Sequence, residues 1–470
     1  MNNQQRAKKN ILLNPLLLFT FCFLPFTFLY AQEEPPADTV EAARFNTIKY
    51  GTDTEIAALI QSLKSEGADY LDNEIITLTE NTRNQKILGG AFSFFADREK
   101  SGLEDRAVRA IEERDDEENE TVLAAIDYLG RVKAVTAVPV LHELLESGEK
   151  RFMNAAFRSL GRVSGKDNEL AGSSAGDNSD EAAEYLIDYY ENRDPGDENR
   201  RDMLAALGAT GSAKAVEFLA GIASDGEERP ALRMAALESI SKIGDTGGLE
   251  AALSCVSARD PNVRASAVAA LGPFSGDAVD SAILDAFRDS YYRTRIAAAQ
   301  ASRQRKLAAA VPYLQFRAER DEVPAVKDES IRALGAIANN ESIAVLEDLF
   351  TGRKNADRVR LAAGEMLMQN QSDRYLDSFI KELDEAKQKN QVALYNGLLK
   401  IIGGTKSSGM EDITRRLIQN SGIIEKSYAL DMAANNSLTS LAGEIKLLAE
   451  DKNESLARKA RRTMEKMGLQ

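Results

Sequence analysis

One histidine, His142, limits the metal and acid–base chemistry open to this chain of 470 residues. Zinc and non-haem iron sites draw on several His or Cys ligands, and the only cysteines are Cys22 and Cys255. His142 directly follows Leu141, an inward helix position, so it reads as a half-exposed helix residue. The run Gly172-Ser173-Ser174-Ala175-Gly176 fits the G-x-S-x-G nucleophile pattern literally. That pattern works only between a strand and a helix, with a His and an acid converging on the serine; here it lies in a low-complexity stretch of a helical chain. Gly403-Gly404-Thr405-Lys406-Ser407 hints at a phosphate loop but lacks the G-x-x-x-x-G-K order, so it reads as a turn between helices. A calcium site made of carboxylates would have to come from Asp177-Asn178-Ser179-Asp180. None of these patterns has its required context. The reading is therefore no catalytic, cofactor or metal residues, no cofactor, and no enzyme.

One region departs from its surroundings in a way that packing does not demand. Tyr291, Tyr292 and Arg293 stand where a neighbouring segment has Asp260, Pro261 and Asn262, and Arg303, Arg305 and Lys306 follow a little further on. Tyr and Arg anchor protein interfaces, because they combine large contact area with several hydrogen bonds. These six residues are the candidate partner-binding spot; the plainer reading has Arg303 and Arg305 pairing with acids on the next repeat. The formal charge of −15 disfavours nucleic acid and anionic lipid as partners, since phosphate contacts need clustered Lys and Arg.

The elements that must position such residues are helix hairpins. In Asp260–Leu284, Asp260 and Pro261 form a helix start. Val263, Ala267, Ala270 and Leu271 form one apolar stripe. Gly272 is expected to end the helix in the left-handed conformation, and a second helix carries Ile283 and Leu284. The residue closing the first helix recurs at Leu129, Leu160, Leu207, Ile240, Leu271, Ser302, Leu334 and Leu367, with spacings of 31, 47, 33, 31, 31, 32 and 33. Nine residues further on stand Val138, Val216, Leu249, Val311, Ile343 and Leu376, with one exception, Asp280. Twelve further on stand Leu141, Leu219, Ala252, Ile283, Leu314, Leu346 and Phe379. Two apolar columns kept over so many copies mean a repeat array, an all-α solenoid with a period of about 31–33 residues. The single long spacing marks an insertion at 164–180, rich in Ser, Gly, Asn and Asp and expected to be a flexible loop. The register is not legible before residue 120 or after 385.

The N-terminus has the layout of a secretory signal: Arg6, Lys8 and Lys9, then an apolar run to Ala31, then an acidic, Pro-rich linker over 32–49. On that reading the solenoid spans 50–470, the mature chain carries −18, and the protein is exported to the periplasm or cell envelope, or secreted. No membrane insertion is expected once the signal is removed. Cys255 is then the only mature cysteine and can form no internal disulfide.

VRASAVAALG at 263–272, SIRALGAIA at 330–338 and the pairs Val138-Pro139 and Val311-Pro312 resemble the bacterial HEAT repeats, including the HEAT-like units of bilin lyases. The resemblance implies a right-handed superhelix with the first helix outward and the second lining the concave side, or the reverse. It also implies a ladder of Asp and Arg between neighbouring repeats, for which Asp260 with Arg264 and Asp357 with Arg360 are suitably placed. His142-Glu143 is similar to the His-Glu pairs of HEAT-repeat iron hydroxylases, which use several such pairs where this chain has one. The expected function is a non-enzymatic exported scaffold that binds a protein or peptide along its curved surface. The alternatives are a membrane-tethered structural envelope protein, if the N-terminal apolar segment is retained, and a lyase-like enzyme or accessory.

Overall fold

The structure, a computed structural model, describes residues 39–469 apart from Asp194 and Ser421. It contains helices and no strand among the described residues. The expected signal at 1–31 and the start of the linker lie outside those residues.

Helix hairpins follow one another without a break, each a first helix and a second helix running back. The pair Pro261–Ala270 and Asp277–Ala286 is typical. Asp260 caps the first helix by accepting from the backbone N–H of Asn262 and Val263, at 2.8 and 3.2 Å. Short 3-10 turns introduce several second helices, at Val135–Ala137, Thr246–Gly248 and Ala308–Ala310. Of these helices, the two that begin Val138-Pro139 and Val311-Pro312 use the proline in the first turn, where no N–H is needed. The twelve-on column is fully buried at all seven positions, Leu141 through Phe379. The first-helix column is buried too, including the polar Ser302. Each such aliphatic side chain contributes roughly 1.5–3 kcal/mol on leaving water.

The array extends past both limits of the legible register. Asp53–Glu66 with Asp72–Asn81, and Gln85–Asp97 with Glu104–Glu112, precede it. Val392–Gly404 with Met410–Asn420, Ile423–Asn435 with Ala442–Leu448, and a final Glu454–Lys466 follow it. Asp357–Gln388 is a hairpin without a loop: its two helices meet at Gln371, whose φ of −148° and ψ of 60° break the run.

Several expectations need correction. The stretch 40–49, read as linker, belongs to the helix Val40–Tyr50, which packs on the first hairpin. The stretch 164–180, read as a loop, holds a 3-10 helix at Glu169–Ser174 and the opening turns of Ala175–Asn192. Buried Asn168 ties it down by donating to the carbonyls of Val163 and Lys133, at 2.6 and 2.9 Å. Gly272 follows the end of Pro261–Ala270 but is not left-handed, and the other glycines after the first-helix column, Gly130, Gly161, Gly208 and Gly335, lie inside their helices. The left-handed terminator comes four residues after the column residue, at Lys133, Gly211, Gly244, Lys306 and Ala338. Gly130, Gly161 and Gly208 lie inside their helices at points of close approach. A Cβ on Gly161 would meet the Ala206 carbonyl oxygen at 2.5 Å, and one on Gly208 would meet Ser239 Oγ at 2.6 Å. Ser159 and Ser239 complete these crossings by donating to the carbonyls of Ile126 and Leu204 in the preceding first helix, both at 2.7 Å.

Those crossings settle the curvature. Successive first helices pack closely from Asp53–Glu66 to Glu454–Lys466, whereas successive second helices touch far less. The wall with the tighter spacing is the inside of the bend, so first helices line the concave side and second helices the convex one.

An Arg ladder runs between repeats, with partners other than those expected. Arg264 grips Asp289, after the second helix of its own hairpin, at 2.8 and 3.1 Å, and also donates to the carbonyls of Ala258 and Arg259. Arg295 repeats this one hairpin later with Asp321, at 2.7 and 2.9 Å, and the carbonyls of Asp289 and Ser290. Arg360 pairs with buried Glu382 and with the Phe350 carbonyl. Asp260 caps its own helix, so Arg264 and Arg295 each clamp two loops to one helix, whereas Arg360 ties its helix to the end of Asn340–Thr351 and to Glu382.

Candidate functional site

The six candidate residues do not form one spot. Tyr291 is the N-cap of Tyr292–Arg305, and Lys306 is its left-handed C-cap. Tyr291, Tyr292 and Arg293 therefore sit at one edge of the solenoid and Arg303, Arg305 and Lys306 at the other, about 18 Å apart at 1.5 Å per residue. Tyr291 donates its hydroxyl to Asn262 Oδ1 at 2.7 Å and packs edge-on against Tyr292. Arg293, exposed, donates to the Tyr292 hydroxyl at 3.2 Å. Arg303 pairs with Glu329 in the next first helix at 2.9 Å, and Arg305 pairs with Asp280 in the preceding hairpin.

The patterns weighed for chemistry are absorbed by packing. His142 stacks on Tyr185 at 4.3 Å, and burial pushes its imidazole below the ordinary range, against the opposing pull of Glu146 and Glu181. Glu146 is held by the Tyr185 hydroxyl at 2.9 Å and by Arg193 at 2.5 Å. Asp177–Asp180 is helical, and Asp180 accepts from Ser212 Oγ at 2.5 Å. Among the described residues no group of three or more His, Cys, Asp or Glu is placed to hold a metal ion. The turn after Gly404 receives an internal anion: Asp373 accepts from Ser407 Oγ, Ser408 N–H and Ser408 Oγ at 2.7, 2.7 and 3.0 Å. Those bonds hold its carboxyl below the usual range.

What the fold does create is a set of separate cavities on the concave wall, between adjacent first helices. One of about 480 Å³ lies over Ala231, Met234, Ala235 and Ala269, with Arg201 and the Glu238–Lys242 pair on its rim. A larger one, about 720 Å³, has Leu361, Ala362, Gly397 and Ile401 as its floor. Its rim carries Asp328 paired with Arg358, and Asp357, Glu365 and Lys400. A third, about 410 Å³, is lined by Arg458, Lys459, Arg462 and Lys466 of the last helix. Met234, Leu361 and Ile401 were not legible as site residues, because an apolar residue flanking the core stripe looks like part of it.

Among the described residues no helix is long and apolar enough to cross a membrane. No curated protein matches the chain. Crystal structures of Kap121p bound to Pho4p and to Nup53p resemble it at 12% and 13% identity, each covering 91% of this chain with a TM-score of 0.42. The chain spans about half the length of those structures, 53% in both cases. The spirochaete HEAT repeat protein family model matches residues 48–463. With that match over an unbroken run of helix hairpins, the chain belongs to the spirochaete HEAT-repeat family.

Proposed function

We propose that the protein is a non-enzymatic, exported scaffold that holds a protein or peptide along its concave wall. The supporting observation is the two open, apolar-floored cavities between first helices. Each hairpin touches only its neighbours, so the wall is one long groove with adjustable side chains. A partner segment would dock along it, with Met234, Leu361 and Ile401 giving apolar contact and the rim charges giving register. Tyr292 and Arg293 extend the contact at one edge. Export rests on the basic and apolar layout of residues 1–31. The test is a photo-crosslinking residue placed at Ala235 or Ala362 on the concave wall, and at Glu217 on the convex one, in native cells. A discrete adduct from the concave positions and none from Glu217 supports the scaffold. Adducts only from Glu217, or none, would remove it. Mass spectrometry of the purified N-terminus should find Gln32 or a close neighbour first.

A further inference from the structure

The convex wall carries a second feature, independent of the groove. Between the second helices Asp277–Ala286 and Val311–Arg320 lies a hollow of about 390 Å³, lined by Phe287, Arg288, Pro312, Tyr313, Phe316 and Arg317. Phe316 is 57% exposed, the one phenylalanine among the described residues left open to water. Phe287 closes the floor and stacks on Tyr313 at 5.7 Å.

Two guanidiniums frame this surface. Arg288 lies over the Tyr313 ring at 5.4 Å and donates to its hydroxyl at 3.3 Å. Arg317 lies over Phe316 at 5.3 Å. Neither has an acidic partner to itself at close range. Arg288 meets Asp285 at 3.0 Å where both side chains are largely exposed, a pairing that is worth little. Arg317 reaches Asp321 at 3.4 Å, but both oxygens of that carboxylate are taken by Arg295. Burial, with a smaller push from Arg295, holds the Arg317 guanidinium below the usual range against the opposing pull of Asp321. A chain with 74 acidic against 59 basic residues has here gathered two arginines around exposed aromatic surface.

We propose that this hollow docks a short acidic segment of a partner protein, which seats one apolar side chain between Tyr313 and Phe316 and its carboxylates on Arg288 and Arg317. Charge complementarity selects that occupant: a basic segment would meet two cations already stacked in place. Aromatic and Arg groups around a small apolar hollow are the composition of an interface anchor, and stacked guanidiniums keep donors free for carboxylates.

The probes are fluorescein-labelled peptides of Asp and Gly around a central Phe-Leu pair, the same peptide with Lys for Asp, and the acidic one with Ala-Ala at its centre. Anisotropy titrations use the chain from Gln32, with Phe316→Ser and Arg288→Glu as variants. Both side chains are exposed, so circular dichroism should show the fold unchanged. The expected result is binding of the acidic Phe-Leu peptide alone, weakened by salt, with roughly tenfold loss in each variant. Equal binding of the Lys peptide, no binding, or variants that match the parent would overturn the proposal. Concentration-dependent self-association abolished by Phe316→Ser would also overturn it, by making a second copy the occupant. The concave crosslinks can succeed or fail whatever happens here.

Discussion

Arg305, at the end of one first helix, donates through Nη2 to the carboxylate of Asp280 in the second helix of the preceding hairpin. Each residue breaks the repeat by itself: Asp280 interrupts an otherwise apolar column, and Arg305 puts a charge at a helix end. Together they restore it, because the guanidinium reaches back to where the missing apolar side chain would have packed. The Arg305 side chain is 12% exposed and that of Asp280 35%. Removing one partner leaves a poorly solvated charge. Asp280→Ala should therefore cost about 1–2 kcal/mol, discounted for the exposure of Asp280. Asp280→Leu with Arg305→Leu should recover most of it. A double variant no more stable than Asp280→Ala in urea unfolding would show that the pair is incidental.

The buried pair of Arg360 and Glu382 should behave more severely. Both side chains are almost fully enclosed, and Arg360 also holds the Phe350 carbonyl at 2.9 Å. Arg360→Met would leave Glu382 with only Arg353, at 3.2 Å. The expected loss is about 3 kcal/mol, and replacing Glu382 by Gln in the same chain should return part of it. A urea midpoint unmoved by Arg360→Met would contradict this.

Gly161→Ala should destabilise by about 1–3 kcal/mol, since its Cβ would press on the backbone of Ala206, which cannot yield as a side-chain tip can. Gly221→Ala is the control. That glycine lies inside Ala215–Ser224 with nothing within 4 Å of an added Cβ, so the change should be neutral or stabilising by up to about 1 kcal/mol. Equal effects at the two sites would mean that helix propensity, not helix approach, explains the glycine column.

These glycines also show what was legible. The column itself could be read from spacing, because apolar burial repeats with the hairpin, and Leu141 through Phe379 are all enclosed. Its physical meaning could not. A glycine at a helix end and a glycine at a helix crossing look alike until the neighbouring helix is in place, and the crossing partner comes from another repeat. The same blindness joined Tyr292 to Arg305 as one spot, when a helix of 14 residues separates them. Arg264 and Asp289 lie 25 residues apart, so the ladder showed only as residue types near helix starts. Phe316 gives no signal by itself, because a phenylalanine in a helical run is usually core.

The ladder should weaken in strong acid. Burial alone would raise the carboxyls of Asp289 and Asp321, but hydrogen bonds from Arg264 and Arg295, and from the N–H groups of Tyr291 and Val323, outweigh it and hold both below the ordinary range. A depressed carboxyl means that the unfolded chain binds more protons than the folded one. The stabilisation is therefore present above the ordinary aspartate value of about 3.9 and is lost as pH falls through the lower folded value. His142, depressed by burial, gives the same sign in a separate window below its ordinary value of about 6.5. Urea midpoints measured from neutral to acid pH should fall in two steps. His142→Phe should remove the upper step and leave the lower. Asp321→Asn should lower the neutral plateau and converge with the parent in acid, where the parent's carboxylate is protonated as well. A constant gap between Asp321→Asn and the parent at every pH would show that the Arg295 pair contributes geometry but no charge.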